Sequence, residues 1–172
     1  KLVDFENPAN NEFLAANQFT VEYQYQKGLT RRPDLVIFIN GMPIAAFEFK
    51  NFNADEIAKD AYYDHKTKMN DIPQFYVYSQ ILVASDGLET KYGAKTSDWE
   101  KYFTWEGIND DEDLEVREIE EKRYFYIHKP TGQQMTSLEV LLKGLFKKEH
   151  LLEFLQDFVL YESLGESFEN KI

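Results

Sequence analysis

The feature that most constrains the fold is a pair of apolar segments separated by Asn40-Gly41. The first, Leu35–Ile39, is rich in β-branched residues and has no polar side chain, which is typical of a strand buried on both faces. The second, residues 44–50, alternates between large apolar residues and small or charged ones, which also favours a strand. Asn-Gly between two such segments is the strongest short signal for a β-hairpin. The sequence therefore predicts a hairpin over residues 35–50.

Two carboxylates and a lysine lie near the open end of this hairpin. Asp34 precedes the first strand, and a period of two puts Glu48 and Lys50 on one face of the second. Mg²⁺ prefers carboxylate oxygens. Phosphodiester hydrolysis needs such a cation, and a nearby lysine can orient the attacking water or stabilise negative charge. We take Asp34, Glu48 and Lys50 as candidate catalytic residues. The candidate metal ligands are Asp34, Glu48 and the main-chain carbonyl of Phe49.

Spacing alone leaves a second interpretation open. In a chain with 29% charged residues, an Asp followed by Glu-x-Lys arises readily by chance, and these groups could simply be solvated at strand ends. The hairpin also sets a geometric condition, because directly opposed residues share a sheet face. A regular two-residue turn at Asn40-Gly41 pairs residue 34 with residue 47 and leaves Glu48 on the wrong face. We therefore predict a longer loop or a bulge near Pro43, which lacks a ladder N–H.

A helix is predicted after the hairpin. Asn53 and Glu56 have the spacing of a capping box, and Ile72-Pro73 would end the helix because proline disfavours the αR conformation in the preceding residue. One stripe of this helix ends in Asp64 and Lys68. Two interpretations of that stripe remain open: it lines the candidate site, or it is the edge of an amphipathic surface helix.

The remaining pattern predicts a mixed α/β domain. Strands are predicted at 17–26, which alternates, and at 75–84, which is strongly apolar. The later segments, in order, are an inserted acidic hairpin near 106–132 and amphipathic helices at 138–146 and 151–161. This order of elements indicates a mixed β-sheet flanked by helices, with a C-terminal helical segment.

Composition excludes several classes of function. The 172 residues fit one domain with an appended helical piece, and the absence of cysteine excludes disulfides and thiolate metal sites. No P-loop pattern is present, and no apolar run approaches the ~20 residues of a membrane span. The net charge of −12 repels phosphate, so the chain should bind DNA poorly on its own. The lack of cysteine suits a reducing cytosol, so we expect a cytoplasmic location. Because the chain starts at Lys1 rather than at a methionine, we expect a fragment of a longer protein.

The hairpin also carries a family resemblance. Residues 32–44 (Arg-Pro-Asp-Leu-Val-Ile-Phe-Ile-Asn-Gly-Met-Pro-Ile) and 48–51 (Glu-Phe-Lys-Asn) resemble the N-terminal nuclease domain of the R (motor) subunit of type I restriction enzymes. Those domains belong to the PD-(D/E)xK nuclease superfamily. Segments such as Asp71-Ile-Pro-Gln-Phe75, Ser85-Asp-Gly87 and Phe103-Thr-Trp105 continue the likeness over nearly the whole chain.

This resemblance implies a restriction-endonuclease-like fold and a Mg²⁺-dependent DNA endonuclease, in which Asp34 and Glu48 bind the metal and Lys50 is the catalytic lysine. Residues 1–135 would form the nuclease-like domain, and 136–172 would lead to a helicase-like motor domain of the same chain. The implied partners are double-stranded DNA and the modification and specificity subunits, with ATP bound only by the full-length subunit. An alternative is a catalytically weak, nuclease-like module that couples the motor and modification subunits.

The chain departs from the family pattern at two points. Family members often carry Gln-x-x-x-Tyr on the helix after the nuclease motif, and Asp64 and Lys68 stand at those positions here. We expect both side chains near the metal site, where Asp64 would add charge or shift the pKa values of its neighbours. The acidic metal ligand that often precedes the first strand in the family has no clear counterpart in this sequence.

Overall fold

The computed structural model describes residues 2–23, 25–51, 57–108, 114–120, 123–164 and 167–171. The strands are β1 (Phe13–Asn17), β2 (Val21–Glu22), β3 (Thr30–Arg31), β4 (Leu35–Ile39), β5 (Met42–Phe49), β6 (Ile81–Ser85), β7 (Thr90–Gly93), β8 (Leu114–Glu120), β9 (Arg123–His128), β10 (Gln133–Thr136), β11 (Leu160–Leu164) and β12 (Ser167–Lys171). The helices are α1 (Ala58–Asp71), α2 (Pro73–Tyr76), α3 (Ser137–Lys143) and α4 (Lys148–Asp157). No helix among these described residues is long and apolar enough to cross a membrane.

A five-stranded sheet organises the chain, in the order β1-β4-β5-β6-β7. Strands β5 and β6 are parallel, while the other neighbouring pairs are antiparallel. Parallel neighbours need a crossover connection, and α1 with α2 lies in that connection. The sheet is therefore mixed and flanked by helices, which confirms the predicted α/β class and fits a restriction-endonuclease-like fold.

Each face of this sheet has its own hydrophobic cluster. On one face, strand residues pack against α1 and α2: the buried members include Val36, Ala46, Leu82 and Ala84 from the strands and Ala61, Tyr62, Ile72 and Phe75 from the helices. On the other face, residues of opposite parity such as Ala45, Phe47, Ile81 and Val83 pack with Leu141, Leu151, Leu152 and Phe154 of α3 and α4. All five residues of β6 are buried, because both of its faces are covered.

The β4–β5 hairpin has a regular turn followed by an irregular ladder. Asn40 and Gly41 both have positive φ, 50° and 81°, and Ile39 pairs with Met42, as in a two-residue turn. The register then shifts: Phe38 pairs with Pro43 but Ile37 pairs with Ala45, so Ile44 is an extra residue. The predicted bulge is therefore confirmed, and the alternative of a longer loop is wrong.

The segments next to the hairpin differ from their predictions in extent. The prediction of one continuous strand over 17–26 is wrong, because the chain turns at Gln18, which has a positive φ of 49°. Among the described residues of this stretch, pairing resumes at Val21–Glu22, which pairs with β3. The strand predicted over 75–84 begins only at Ile81, since Pro73 starts a short helix instead. Proline fits the first turn of a helix because its fixed φ is already helical.

Two predictions about helix ends remain to be compared with the structure. The capping box predicted at Asn53 and Glu56 lies outside the described residues; α1 is described from Ala58, with the Asp60 carboxylate accepting a hydrogen bond from the Ile57 N–H at 2.9 Å. At the C-terminal end, the helix predicted over 151–161 spans Lys148–Asp157, and a β-hairpin of β11 and β12 follows it. The C-terminal part of the chain is therefore not wholly helical.

The acidic segment forms strands as predicted, with one more strand than expected. Strands β8 and β9 pair antiparallel, and β10 joins β9 to make a small three-stranded sheet. A capping box of Thr136 and Glu139 opens α3, with the Thr136 hydroxyl accepting from the Glu139 N–H at 3.2 Å. The division of the chain at residue 135 stays a prediction.

Candidate metal centre

The bulge at Ile44 brings the two candidate carboxylates to the same face of the sheet. Beyond the bulge Leu35 pairs with Phe47, so the next residues outward, Asp34 and Glu48, oppose one another. Directly opposed residues point to the same side of a sheet. That side is the one covered by α1, because Val36 and Ala46, of the same parity, pack in the α1 cluster. Without the shift, Glu48 would belong to the opposite cluster.

Asp34 is fixed to the backbone of β5. Its Oδ2 atom accepts a hydrogen bond from the Phe49 N–H at 2.8 Å. The Asp34 N–H donates in turn to the Phe47 carbonyl at 3.1 Å. Hydrogen bonds to an ionised acceptor are stronger than neutral ones, so this contact holds the carboxylate beside the Glu48-Phe49-Lys50 segment.

Glu48 is almost completely buried, with 1% of its surface exposed. Its Oε2 atom forms an ion pair with the ammonium group of Lys68. Its Oε1 atom is buried and has no hydrogen-bond partner within the described part of the chain. Burial raises the pKa of Glu48 to about 8, against the opposing effect of Lys68, while Asp34 and Asp64 raise it further. A buried carboxylate oxygen without a partner is costly, and a bound cation would remove that cost.

Lys68 connects three parts of the site. Besides Glu48 Oε2, its Nζ donates a hydrogen bond to the main-chain carbonyl of Arg32 at 3.0 Å. One ammonium group on α1 therefore holds both β5 and the segment that leads into β4. The side chain is 15% exposed, so this contact is largely shielded from solvent.

Lys50 is paired with a carboxylate from the same helix. Its Nζ lies 3.1 Å from Asp64 Oδ2, and its N–H donates to the Ser85 carbonyl at 2.8 Å. Asp64 and Lys68 are one helical turn apart, about 6.0 Å of rise, whereas Glu48 and Lys50 are separated by about 6.6 Å along a strand. Because these spacings match, α1 presents the opposite charge to each member of the Glu-x-Lys motif. The sequence indicated that Asp64 and Lys68 could line the site but not which residues they pair with.

His65 anchors this part of α1 without belonging to the candidate site. The ring is fully buried, with Nε2 2.9 Å from the Val83 carbonyl and Nδ1 3.4 Å from the Tyr76 hydroxyl. Burial lowers the pKa of His65 to about 4, so the ring is neutral near pH 7 and Nε2–H donates to the carbonyl. His65 is therefore a structural residue rather than a metal ligand or a catalytic group. Sequence reasoning did not identify its role in docking α1.

The donor set fits a hard divalent cation. Asp34 and Glu48 share a face, and the buried Oε1 of Glu48 accepts no hydrogen bond from the described residues, so it is a free oxygen donor for a cation. No cluster of three or more His, Cys, Asp or Glu side chains able to hold a metal occurs among residues 2–23, 25–51, 57–108, 114–120, 123–164 and 167–171. A site with two carboxylates suits Mg²⁺, which keeps several waters and takes few protein ligands.

Comparison with known proteins finds a matching family and similar proteins in two organisms. The family described as "Type I restriction enzyme R protein N terminus" matches residues 1–101. A "Putative type I restriction enzyme MjaIXP endonuclease subunit" of Methanocaldococcus jannaschii is 60% identical over 162 residues, which are 94% of this chain and 16% of that protein. A "Type I restriction enzyme HindI endonuclease subunit" of Haemophilus influenzae is 32% identical over 174 residues, 98% of this chain and 15% of that protein.

The chain thus covers roughly a sixth of the length of these two relatives. The match to the family includes the β4–β5 hairpin, α1 and β6, and therefore every residue of the candidate metal centre. The chain belongs to the family of type I restriction enzyme R protein N termini.

Proposed function

We propose that this chain is the Mg²⁺-dependent endonuclease domain of a type I restriction enzyme R subunit, and that it hydrolyses phosphodiester bonds in double-stranded DNA. The observation that carries the proposal is the buried Oε1 of Glu48, which lies on the same sheet face as Asp34 and has no hydrogen-bond partner in the part of the chain that the structure describes. A carboxylate oxygen that is buried away from water and accepts no hydrogen bond lowers the stability of the fold. A cation that binds to this oxygen best explains why it is buried.

Each residue of the site has a distinct role in this proposal. Asp34 and Glu48 would hold Mg²⁺, with the Phe49 carbonyl as a further oxygen donor. When bound, Mg²⁺ polarises the phosphate and lowers the pKa of an attacking water. Lys50 stands two residues from Glu48 on the same face, where its ammonium group can orient that water and stabilise negative charge on the phosphate. Asp64, 3.1 Å from Lys50, keeps the ammonium directed into the site.

The charge of the chain indicates how DNA would be held. With a net charge of −12, this domain repels the phosphate backbone. The strand must therefore be held by other parts of a complex: a helicase-like motor domain of the same chain, which would use ATP, and the modification and specificity subunits. The products would be ends with 5′-phosphate and 3′-hydroxyl groups, as is usual in the PD-(D/E)xK superfamily that this sequence resembles.

One observation favours a second candidate, a catalytically weak module that couples motor and modification subunits. Lys68 already forms an ion pair with Glu48, and a lysine ammonium repels a divalent cation. In that case the five charged side chains would hold α1 on the sheet rather than bind metal. The unpartnered Oε1 argues against it, because a purely structural ion pair is stable only when the remaining polar atoms are also satisfied.

Substitution in the assembled restriction complex separates these two functions. Asp34→Ala and Lys50→Ala should each reduce DNA cleavage by at least about a hundredfold, the scale expected when a group that stabilises the transition state is lost. ATP-driven translocation should stay normal, because the motor is not altered. Asp157→Ala, an exposed aspartate on α4 across the sheet, is the matched control and should cleave normally. Full cleavage by the Asp34→Ala complex would show that the catalytic assignment is wrong.

A further inference from the structure

The contacts of Lys68 bear on the number of metal ions that the site can hold. Nuclease sites with two metals place the ions roughly 3.5–4 Å apart, so that carboxylates bridge or flank both. Here the Oε2 atom of Glu48 and the main-chain carbonyl of Arg32 both contact the ammonium group of Lys68. A carboxylate oxygen and a backbone carbonyl are hard oxygen donors of the type that a second Mg²⁺ would use. In this chain, the ammonium group of Lys68 already contacts both oxygens.

The nearest further carboxylate is occupied as well. Asp64 Oδ2 lies 3.1 Å from the Lys50 ammonium, so that carboxylate is neutralised by the candidate catalytic lysine. With Glu48 ionised, as a metal ligand must be, three carboxylates and two ammonium groups leave one net negative charge in the site. One divalent ion reverses that charge to a single positive one, whereas two would leave a triple positive charge in a largely buried place. Electrostatics therefore favours one ion.

We propose that Lys68 is a positioning residue whose ammonium group takes the place of a second metal, so that the site binds a single divalent cation between Asp34 and Glu48 Oε1. The inference rests on the proposed function, since it assumes that these carboxylates bind metal at all. Lys68 forms an ion pair with Oε2 of Glu48, so Oε1 is left to bind the single cation. By holding the Arg32 carbonyl as well, Lys68 also fixes the segment that carries Asp34.

The number of bound ions can be counted directly on this chain. We would titrate it with Mn²⁺, which accepts the same oxygen ligands as Mg²⁺, and count bound ions by electron paramagnetic resonance. The relevant ions are those lost in Asp34→Asn, since a chain with this much negative charge also attracts ions elsewhere. The wild-type chain should bind one such ion. Lys68→Glu should bind two, because it removes the ammonium and adds a carboxylate beside Glu48. Two adjacent Mn²⁺ ions would also couple magnetically and broaden the spectrum.

Lys148→Glu, at the start of α4 on the other face of the sheet, makes the same change in charge and should still bind one ion. Thermal unfolding monitored by circular dichroism checks that each variant is folded. Two ions in the wild-type chain, or only one in folded Lys68→Glu, would overturn the inference about Lys68 and leave the proposed function intact. If no ion in the wild-type chain depends on Asp34, the metal site of the proposed function fails too. The wild-type count tests the inference even if Lys68→Glu does not fold.

Discussion

At the scale of single residues, the burial of Glu48 has the largest energetic consequence. An acidic group normally ionises well below pH 7, but burial raises the pKa of Glu48 to about 8 even though Lys68 favours its charged form. The folded chain without metal therefore keeps a proton on this group that the unfolded chain loses. Folding and protonation are linked, so the stability of the chain depends on pH in a window set by this one residue.

We predict that, in metal-free buffer, the free energy of unfolding of the wild-type chain falls as the pH rises from 6.5 to 8. The folded pKa of Glu48 is raised, so its contribution is present at low pH and lost as the pH rises through about 8. The slope should approach about 1.4 kcal/mol per pH unit. Glu48→Gln cannot titrate and should remove this slope, which urea denaturation at several pH values would measure.

At pH 6.5 the unfolded ring is half protonated, whereas the folded ring, whose pKa burial lowers to about 4, is neutral. His65 therefore adds a small slope of opposite sign that fades by about pH 7.5 and is the same in the wild-type chain and in Glu48→Gln. Towards lower pH the effect of His65 grows, because the unfolded chain binds a proton that the buried ring does not bind. Stability therefore falls as the pH drops from 6.5 towards 4. Equal slopes for the wild-type chain and Glu48→Gln between pH 6.5 and 8 would mean that Glu48 is not protonated in the folded state.

At the scale of elements, the position of α1 determines the geometry of the site. Ala58 and Ala61 are both completely buried, and Ala61 packs in the cluster between α1 and the sheet, where a small side chain lets the helix approach the strands closely. Only at that distance can Asp64 and Lys68 reach the Glu-x-Lys motif. His65, bonded to the Val83 carbonyl, fixes the helix in rotation and along its axis.

Replacing one of these alanines with a larger residue should therefore displace α1 from the sheet and disturb the site. We predict that Ala61→Leu lowers the free energy of unfolding by about 1–3 kcal/mol, because a well-packed core does not accept the extra volume. It should also weaken Mn²⁺ binding, since displacing α1 breaks the contacts by which Lys68 orients Glu48 and the segment that carries Asp34. Thr67→Leu, an exposed position on the same helix, is the control and should change neither quantity. Unchanged metal affinity in a destabilised Ala61→Leu chain would show that the site does not depend on how closely α1 packs.

The sequence predicted the elements around the site better than the contacts inside it. The Asn40-Gly41 turn and the two apolar runs gave the hairpin, because turn residues and periodicity are local properties. The need for a bulge also followed from parity, but its position at Ile44 depends on packing against both layers. Local patterns could not show that Pro73 starts a helix rather than preceding a strand. Nor could they pair Lys68 with Glu48, since that contact joins residues that are distant in sequence.

At the scale of the whole molecule, the two faces of the central sheet carry different kinds of residue. The face covered by α1 carries every charged residue of the candidate site, while the face covered by α3 and α4 is an apolar cluster. The chain as a whole has a net charge of −12, and no compensating excess of basic residues is present in its sequence. The proposed DNA-cleaving site would thus lie in a domain whose net negative charge repels DNA.

We predict that the isolated chain binds a double-stranded oligonucleotide more weakly than about 100 µM at physiological salt, the weak end of ordinary non-specific binding. Fluorescence anisotropy with a labelled duplex would measure this, with the full-length subunit in its complex as the positive control. Micromolar binding by the isolated chain would contradict the view that other domains hold the DNA. It would also require a local basic surface strong enough to overcome the net charge.

The bulge at Ile44 has a consequence for how such sites can change during evolution. Ile44 is the one position of the hairpin where the chain carries an unpaired residue, so its removal would straighten the ladder and leave Asp34 opposite Glu48. A gain or loss of one residue elsewhere between the two acids would put them on opposite faces. Relatives with a working site should therefore tolerate length variation at this one place, and the interval between the two acids can differ by one residue among enzymes with the same active-site geometry.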